Sequence, residues 1–167
     1  MDTIAKTGMD GVYGLEHRRN GKVIYKEDIE NLVCDEGLTH ILDILFKSGV
    51  QVTSWYLGIF EANYTPAVDD TAANIATRCT ESTAYTEAAR VAFTAGAIAS
   101  NAVSNSASRA TFTINATKTM YGVFLVSTST KSGTLGTLLS VAKFTTARAV
   151  IAGDELLVTY TMTAQDV

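Results

Sequence analysis

The sequence has few of the residues that build metal sites, disulfide scaffolds and catalytic centres. Its 167 residues include two cysteines, two histidines and one proline. The cysteines and histidines lack the CxxC and HExxH spacings of zinc sites, and no DxDxDG calcium loop or glycine-rich phosphate loop occurs. We therefore expect no metal ion, no cofactor, and no catalytic or cofactor-binding residue.

Charged residues are also scarce, at 18% of the chain against roughly 25% in an ordinary soluble domain. The formal net charge is −4, and acidic residues offset the one basic cluster, His17-Arg18-Arg19. Nucleic-acid binding depends on a basic surface, so we expect none. A weakly charged surface favours a protein that packs against copies of itself or within a larger assembly.

Long hydrophobic runs are absent too. No run approaches the roughly 20 apolar residues that span a bilayer, and residues 1–8 lack the apolar segment of a signal peptide. We expect a chain that is made and assembled in a cytoplasm, without a membrane partner. In that reducing compartment, Cys34 and Cys79 are expected to act as small hydrophobic residues.

What the sequence does contain is a strong β pattern, clearest between residues 108 and 163. Four runs there are alternating or continuously apolar and rich in β-branched and aromatic residues: 108–115, 118–127, 138–144 and 155–162. Residues 52–60 form a fifth run, the most aromatic of the chain, which indicates a central strand. Together the runs predict a mainly β fold, an antiparallel β-sandwich or jelly roll.

Near the N-terminus, Asn20-Gly21 separates two extended runs, residues 11–17 and 22–26. Both central residues of a type I′ turn need a positive φ, which Asn and Gly adopt readily, so this pair predicts a β-hairpin. The chain then divides into an N-terminal arm and β-hairpin, residues 1–30, and a single β-sandwich domain with one helix, residues 31–167.

One helix is predicted, over about residues 36–47. Apolar side chains recur there at i, i+3, i+4, i+7 and i+8, in Leu38, Ile41, Leu42, Leu45 and Phe46. This spacing makes one apolar stripe, with which we expect the helix to cover an open end or face of the sandwich. Asp35 is the expected N-cap, and Gly49 the residue that ends the helix.

Residues 61–87 form a long polar stretch, rich in threonine and alanine, that holds the one proline, Pro66. Within it, Asp69, Asp70 and Thr71 can cap a short helical turn through Ala76. Loops of this length commonly carry function or bind partners.

Individual side chains give only weak chemical signals. Cys34 and His40 can be drawn as a nucleophile and its base, but no third group is specified to orient them, so we expect no enzyme. The Asp69-Asp70 pair can contact a surface cation or simply be solvated. Three aromatic residues can stack sugars on an exposed face, although their apolar surroundings favour the core: Trp55, Tyr56 and Tyr121.

Several segments together resemble a family of small bacteriophage virion proteins of tailed phages, short-tailed ones above all. The resemblance covers residues 30–163. It rests on Asn31-Leu32-Val33, Glu36-Gly37-Leu38, Ile41-Leu42-Asp43, Trp55-Tyr56-Leu57-Gly58-Ile59-Phe60, Asp70-Thr71-Ala72, Ala84-Tyr85-Thr86-Glu87-Ala88-Ala89-Arg90, Ser104-Asn105-Ser106 and Ala152-Gly153-Asp154, in that order.

The resemblance implies a capsid cement, or decoration, protein with a jelly-roll or sandwich fold. Such a protein binds the exterior of the shell as a homodimer or homotrimer and bridges neighbouring subunits of the major capsid protein. Residues 1–30 and 61–87 are the expected contact segments, because both are expected to lie outside the sandwich core.

Two other functions stay open. The chain can be a module of a head or tail fibre that binds a host receptor or glycan through an exposed aromatic patch. It can also be a virion-associated hydrolase, although the sequence shows no recognisable pair of catalytic acid and base.

Overall fold

A computed structural model describes the backbone of residues 7–166 and the side chains of residues 8–165. In chain order, the elements are β1 (Thr7–Arg19), β2 (Lys22–Glu30), β3 (Leu32–Val33), α1 (Asp35–Phe46), β4 (Trp55–Phe60), α2 (Ile75–Arg78), β5 (Val91–Phe93), β6 (Ala102–Ser104), β7 (Ala110–Thr113), β8 (Lys118–Val126), β9 (Leu138–Val150) and β10 (Glu155–Asp166). The predicted arm at residues 1–6 lies outside the described residues.

The strands form two antiparallel sheets, which confirms the predicted mainly β, sandwich class. Sheet A has the order β2-β1-β10-β6, with β7 pairing a second part of β10. Sheet B has the order β3-β9-β8-β4-β5. The aromatic run at 52–60 begins its strand only at residue 55, and β4 lies inside sheet B between β8 and β5.

The predicted hairpin is confirmed at Asn20-Gly21, where both residues have positive φ, at 51° and 73°. However, β1 is paired on both sides, with β2 and along most of its length with β10. Its Tyr13 and Leu15 are buried in the core. The expectation that the hairpin lies outside the sandwich core was therefore wrong for residues 7–30.

The main core, which we call the inner cluster, fills the space between the sheets. Period-two alternation turns every second residue of a strand toward it, and its members come from both sheets, among them Tyr13, Leu57, Phe112, Val123 and Tyr160. The rings of Tyr13 and Tyr160 lie 4.5 Å apart. The Tyr13 hydroxyl bonds the Ser140 hydroxyl at 2.7 Å, which ties sheet A to sheet B.

A second core, the outer cluster, lies on the opposite face of sheet B. It contains Cys34, Phe60, Ala72, Ile75, Cys79, Phe124, Val126, Leu138 and Val141. Residues 61–87 supply Ala72, Ile75 and Cys79, so this segment covers the sheet and was wrongly expected to lie outside the core. It contains a second helix, α2, which begins at Ile75, one residue before the predicted turn was to end.

Candidate interaction surface

Helix α1 is fixed to sheet B by its first turn. The Cys34 N–H donates to the Leu139 carbonyl at 3.0 Å. The Glu36 carboxylate accepts from the backbone N–H groups of Ala72 at 2.8 Å and Leu138 at 2.6 Å. Gly37 is buried against Leu139, where an added Cβ would lie 2.7 Å from the Leu139 oxygen. The helix is therefore held in one position relative to sheet B and to residues 61–87.

The ends of α1 differ in detail from the prediction. The N-cap is Cys34 rather than Asp35, and its extended backbone makes no side-chain cap. After the helix, the left-handed residue is Ser48, with φ 60°, rather than Gly49. The Lys47 and Gly49 N–H groups both donate to the Asp43 carbonyl, which satisfies part of the last turn.

Only one edge of the predicted apolar stripe of α1 faces the core. Ile41 and Ile44 are half-buried against the sandwich, whereas the exposed fractions of the other four apolar residues rise along the helix: Leu38 39%, Leu42 56%, Leu45 65% and Phe46 79%. We call these four residues the outer face of α1. The helix carries apolar residues around more than half of its circumference, and only one side of this arc is covered.

Neighbouring residues extend the outer face. Val50, just beyond the helix, is 87% exposed. Val68, also exposed, lies beside the first turn because its carbonyl accepts from the Asp35 N–H at 3.0 Å. Single exposed apolar residues are ordinary, but a contiguous exposed apolar group is typical of an interaction surface.

The charges along the outer face lie on one flank. At 100° per residue, Asp35, Thr39 and Asp43 follow the Leu38–Leu42 side of the helix, Lys47 continues this line just beyond its last residue, and all four are exposed. In an antiparallel pairing of two α1 helices about a two-fold axis, this flank would face its own copy, with Asp35 near Lys47 and Asp43 near Thr39 of the second helix.

A cavity of about 380 Å³ opens beside the covered side of α1, between the helix and the ends of the two sheets. Its lining is mainly apolar and includes Ile41, Ile44, Val52, Trp55, Phe93 and Met162. Side chains at this edge can therefore move inward or accept an apolar group from a partner without a gap elsewhere in the core.

Cys34 and His40 do not form a catalytic pair. The Cys34 side chain belongs to the outer cluster, and burial raises its pKa to about 12, so its thiol stays protonated and weakly nucleophilic. His40 lines the cavity on the other side of sheet B and packs edge-on against Trp55, with ring centroids 6.2 Å apart.

The Asp69-Asp70 pair serves residues 61–87 themselves. Asp70 is buried and accepts from the Tyr64 hydroxyl at 2.6 Å, the Ala67 N–H at 2.9 Å and Arg78 at 2.9 Å. The same Arg78 bonds Asp69 at 2.9 Å, and this contact lowers the pKa of the Asp69 carboxyl. The pair's carboxylates are therefore occupied by partners within the segment.

The three aromatic residues divide between the faces of sheet B. Trp55 is half-buried against the inner cluster, and Tyr121 against the outer one. Tyr56, also half-buried, faces away from the inner cluster and lines an open cleft. Core placement was thus right in part for Trp55 and Tyr121, although Trp55 also lines the cavity beside α1. Tyr56 is the one of the three that lines the cleft on the other face of sheet B.

Sequence reasoning missed two buried ionic groups. Arg90 and Glu81 form a two-bonded ion pair at 2.8 and 2.6 Å, with both side chains fully buried. Asp154 accepts from His17 at 2.8 Å and from Arg19 at 2.8 and 2.7 Å. The contact with Arg19 lowers the Asp154 pKa strongly.

No local signal identifies these pairs, because their members come together only in the folded chain. Asp154 itself lies in a tight turn before β10, with Gly153 at φ 91° and a bond from the Asp154 N–H to the Ile151 carbonyl.

Across residues 7–166, no three His, Cys, Asp or Glu side chains are grouped as a metal ion would require. Neither helix in that part of the chain has the length and apolar character to cross a membrane. Compared with known proteins, the chain matches no protein-family model and no curated protein sequence.

Proposed function

We propose that the chain is a bacteriophage capsid cement protein that binds the outer surface of the shell and bridges subunits of the major capsid protein. The observation that carries the proposal is the outer face of α1. Four apolar side chains are exposed there, on a helix whose first turn is hydrogen-bonded to sheet B and to residues 61–87, the segment that covers that sheet. The resemblance of residues 30–163 to phage virion proteins supports the same function.

A cement protein needs a rigid surface that loses little entropy on binding, and α1 has this property. Five contacts hold its first turn: the Leu139 carbonyl, two N–H donors to Glu36, the buried Gly37 and the Val68 carbonyl. Because the helix is already ordered, binding fixes only its exposed side chains. Many copies on one shell would then add their modest individual affinities.

In this proposal, α1 contacts the capsid and the copies associate through another surface. A shell subunit with apolar residues and a neutral or basic rim fits the outer face. We propose a homodimer or homotrimer, whose mass can be measured by light scattering.

The deciding experiment is the copy number of this chain in purified particles of the phage that encodes it. We expect a simple ratio to the major capsid protein, and particles that lack the chain should lose their DNA at a lower temperature. Only a few tens of copies per particle would contradict the cement role and favour a fibre module. Absence from particles would contradict both.

A variant test connects this function to α1. Leu42→Ser with Phe46→Ser should abolish binding to shells that lack the chain, because both side chains lie on the outer face. The matched control is Ile24→Ser, another exposed apolar residue, on strand β2. Unchanged binding by the double variant would contradict the assignment of α1 as the contact, whatever the copy number.

A further inference from the structure

A second surface of the chain has a different chemistry from α1. An open cleft of about 470 Å³ lies where the segment before β4 meets the start of the β8–β9 loop. It is lined by Gln51, Val52, Thr53, Ser54, Tyr56, Ser127, Thr128 and Ser129. One amide, five aliphatic hydroxyls and one phenol thus surround the cleft, and the lining contains no Asp, Glu, Lys, Arg or His.

Tyr56 gives the cleft an aromatic wall. Along β4, Leu57 and Ile59 turn into the inner cluster, so Tyr56 projects from the opposite face of sheet B. Its cross-strand neighbour on β5 is Ala92, which is small and exposed. An alanine beside the ring leaves part of it uncovered on that side, where a bulkier residue would pack over it.

The opposite wall of the cleft is held rigid by buried groups. The Arg90 backbone N–H donates to the Ser129 carbonyl at 2.8 Å, and its guanidinium donates to the Thr128 carbonyl at 3.2 Å. The same guanidinium is fixed by Glu81 in the fully buried ion pair. The backbone that carries the Thr128 and Ser129 hydroxyls is therefore ordered before any ligand arrives.

Ser127 is positioned by its own pairing. Its N–H donates to the Thr137 carbonyl at 2.9 Å, and its hydroxyl oxygen accepts from the Thr137 N–H at 2.7 Å. Because the oxygen is used as an acceptor there, its hydrogen can point into the cleft and donate to a ligand.

We propose that this cleft binds an uncharged saccharide. A sugar presents an apolar C–H face that stacks on an aromatic ring, and hydroxyls around its edge that both donate and accept hydrogen bonds. Tyr56 supplies the ring, while Gln51, Ser127 and Ser129 supply partners that can likewise donate and accept. A lining without ions offers no counter-charge for a phosphate, a carboxylate or an ammonium group, which distinguishes sugars from charged small ligands.

The test is a titration of the 15N-labelled full chain with neutral oligosaccharides of glucose, galactose, mannose and N-acetylglucosamine, beside sialylated and sulfated oligosaccharides. We expect at least one neutral sugar to shift the amide signals of Tyr56 and residues 127–129 in a saturable way. No saturable shift with any neutral sugar at millimolar concentration would overturn the proposal, and so would binding by the charged sugars alone.

Variants identify the ring that stacks. Tyr56→Ala should weaken binding about tenfold or more, whereas Tyr56→Phe should keep most of it because the stacking face remains. Tyr121→Ala is the matched control, since this half-buried tyrosine on β8 does not line the cleft. Equal affinity in Tyr56→Ala and the wild type would overturn the proposal.

A second variant covers the case in which Tyr56→Ala fails to fold. Ser129→Arg places a long side chain in the cleft from its loop side and leaves sheet B untouched, so it should block the sugar while the chain stays folded. Unblocked binding in this variant would overturn the site. The titration uses the isolated chain, so its result is independent of copy number in particles and of the role of α1.

Discussion

The two sheets of this sandwich differ in the chemistry of the face that each turns away from the inner cluster. The outer face of sheet A is polar, and its charges pair across the strands, as Glu16 on β1 does with Lys26 on β2. The outer face of sheet B is apolar, with Phe60, Phe124 and Val126 buried beneath residues 61–87. Where the chain makes an apolar face, it also supplies a segment that covers it.

The outer face of α1 is an exception to this rule, because the described part of the chain leaves it uncovered. It is apolar like sheet B, yet among the described residues nothing covers Leu42, Leu45 or Phe46. The chain thus covers one apolar surface with 27 of its own residues, 61 to 87, and leaves open the one that the proposed capsid contact would cover.

Removing Arg90 should have the largest effect on stability, because its partner Glu81 belongs to residues 61–87, which cover sheet B. Arg90→Ala leaves the Glu81 carboxylate buried without its partner, so we expect a loss of about 3–5 kcal/mol in the free energy of unfolding. Urea denaturation followed by circular dichroism measures it. The double variant Glu81→Gln with Arg90→Met removes both charges and should recover part of the loss; a double variant as unstable as the single one would contradict the ion-pair explanation.

A cavity in the cover should have the next largest effect. Ile75→Ala removes a fully buried side chain from the outer cluster, with an expected loss of about 2–5 kcal/mol by the same denaturation measurement. Val68→Ala, at an exposed position of the same segment, is the control and should change little. Similar losses in the two variants would mean that residues 61–87 are not packed as described.

The polar face of sheet A should respond to pH instead. Hydrogen bonding to Lys26, with further help from Arg18 and Arg109, lowers the Glu16 pKa to about 2. A depressed carboxylate pKa stabilises the fold above the unfolded-state value, about 4.3, and the contribution disappears as the pH falls toward the folded value.

Glu16→Gln should therefore cost about 1 kcal/mol at neutral pH, and the difference from wild type should shrink as the pH falls from about 4.3 toward about 2. Glu30→Gln, an exposed glutamate on the same hairpin, is the control. Urea denaturation at several pH values tests this, and a difference that stayed constant with pH would show that the glutamine acts through packing rather than charge.

The smallest effect is expected on α1. Leu42→Ser should change the free energy of unfolding by no more than about 0.5 kcal/mol, because the side chain is exposed in the isolated chain. This limit includes the small loss of helix propensity when serine replaces leucine inside a helix. A loss as large as that of Ile75→Ala would mean that the outer face is covered, by the chain itself or by another copy.

Local signals predicted the elements well, and their packing poorly. The Asn20-Gly21 turn, α1 and strands β7, β8 and β10 follow from backbone preference and periodicity over neighbouring residues. The stripe of α1 was read correctly as apolar, but periodicity does not tell which part of a wide apolar arc meets the core. Here Gly37 decides it, because the helix can approach the Leu139 backbone only where no Cβ intervenes.

The candidate sites were harder to predict from the sequence, because they too depend on how distant parts of the chain pack together. Residues 61–87 have the composition of a surface loop, and only the apolar face of sheet B beneath them makes Ile75 and Cys79 core residues. The cleft at Tyr56 joins residues more than 70 positions apart, such as Ser54 and Ser127. Of its lining, the sequence indicated only the aromatic residue.

The pairing of β1 with β10 has a consequence for how the chain folds. Thr7 stands opposite Asp166, so the central pair of sheet A joins residues from opposite ends of the described chain. Sheet B, by contrast, is complete once residue 150 is present, and its strands β8 and β9 are neighbours in sequence. During synthesis, sheet B can form first, while β1 must wait for residues 155–166 to leave the ribosome. Closure of sheet A, which carries the longest contact separation, should then be the slow step of folding.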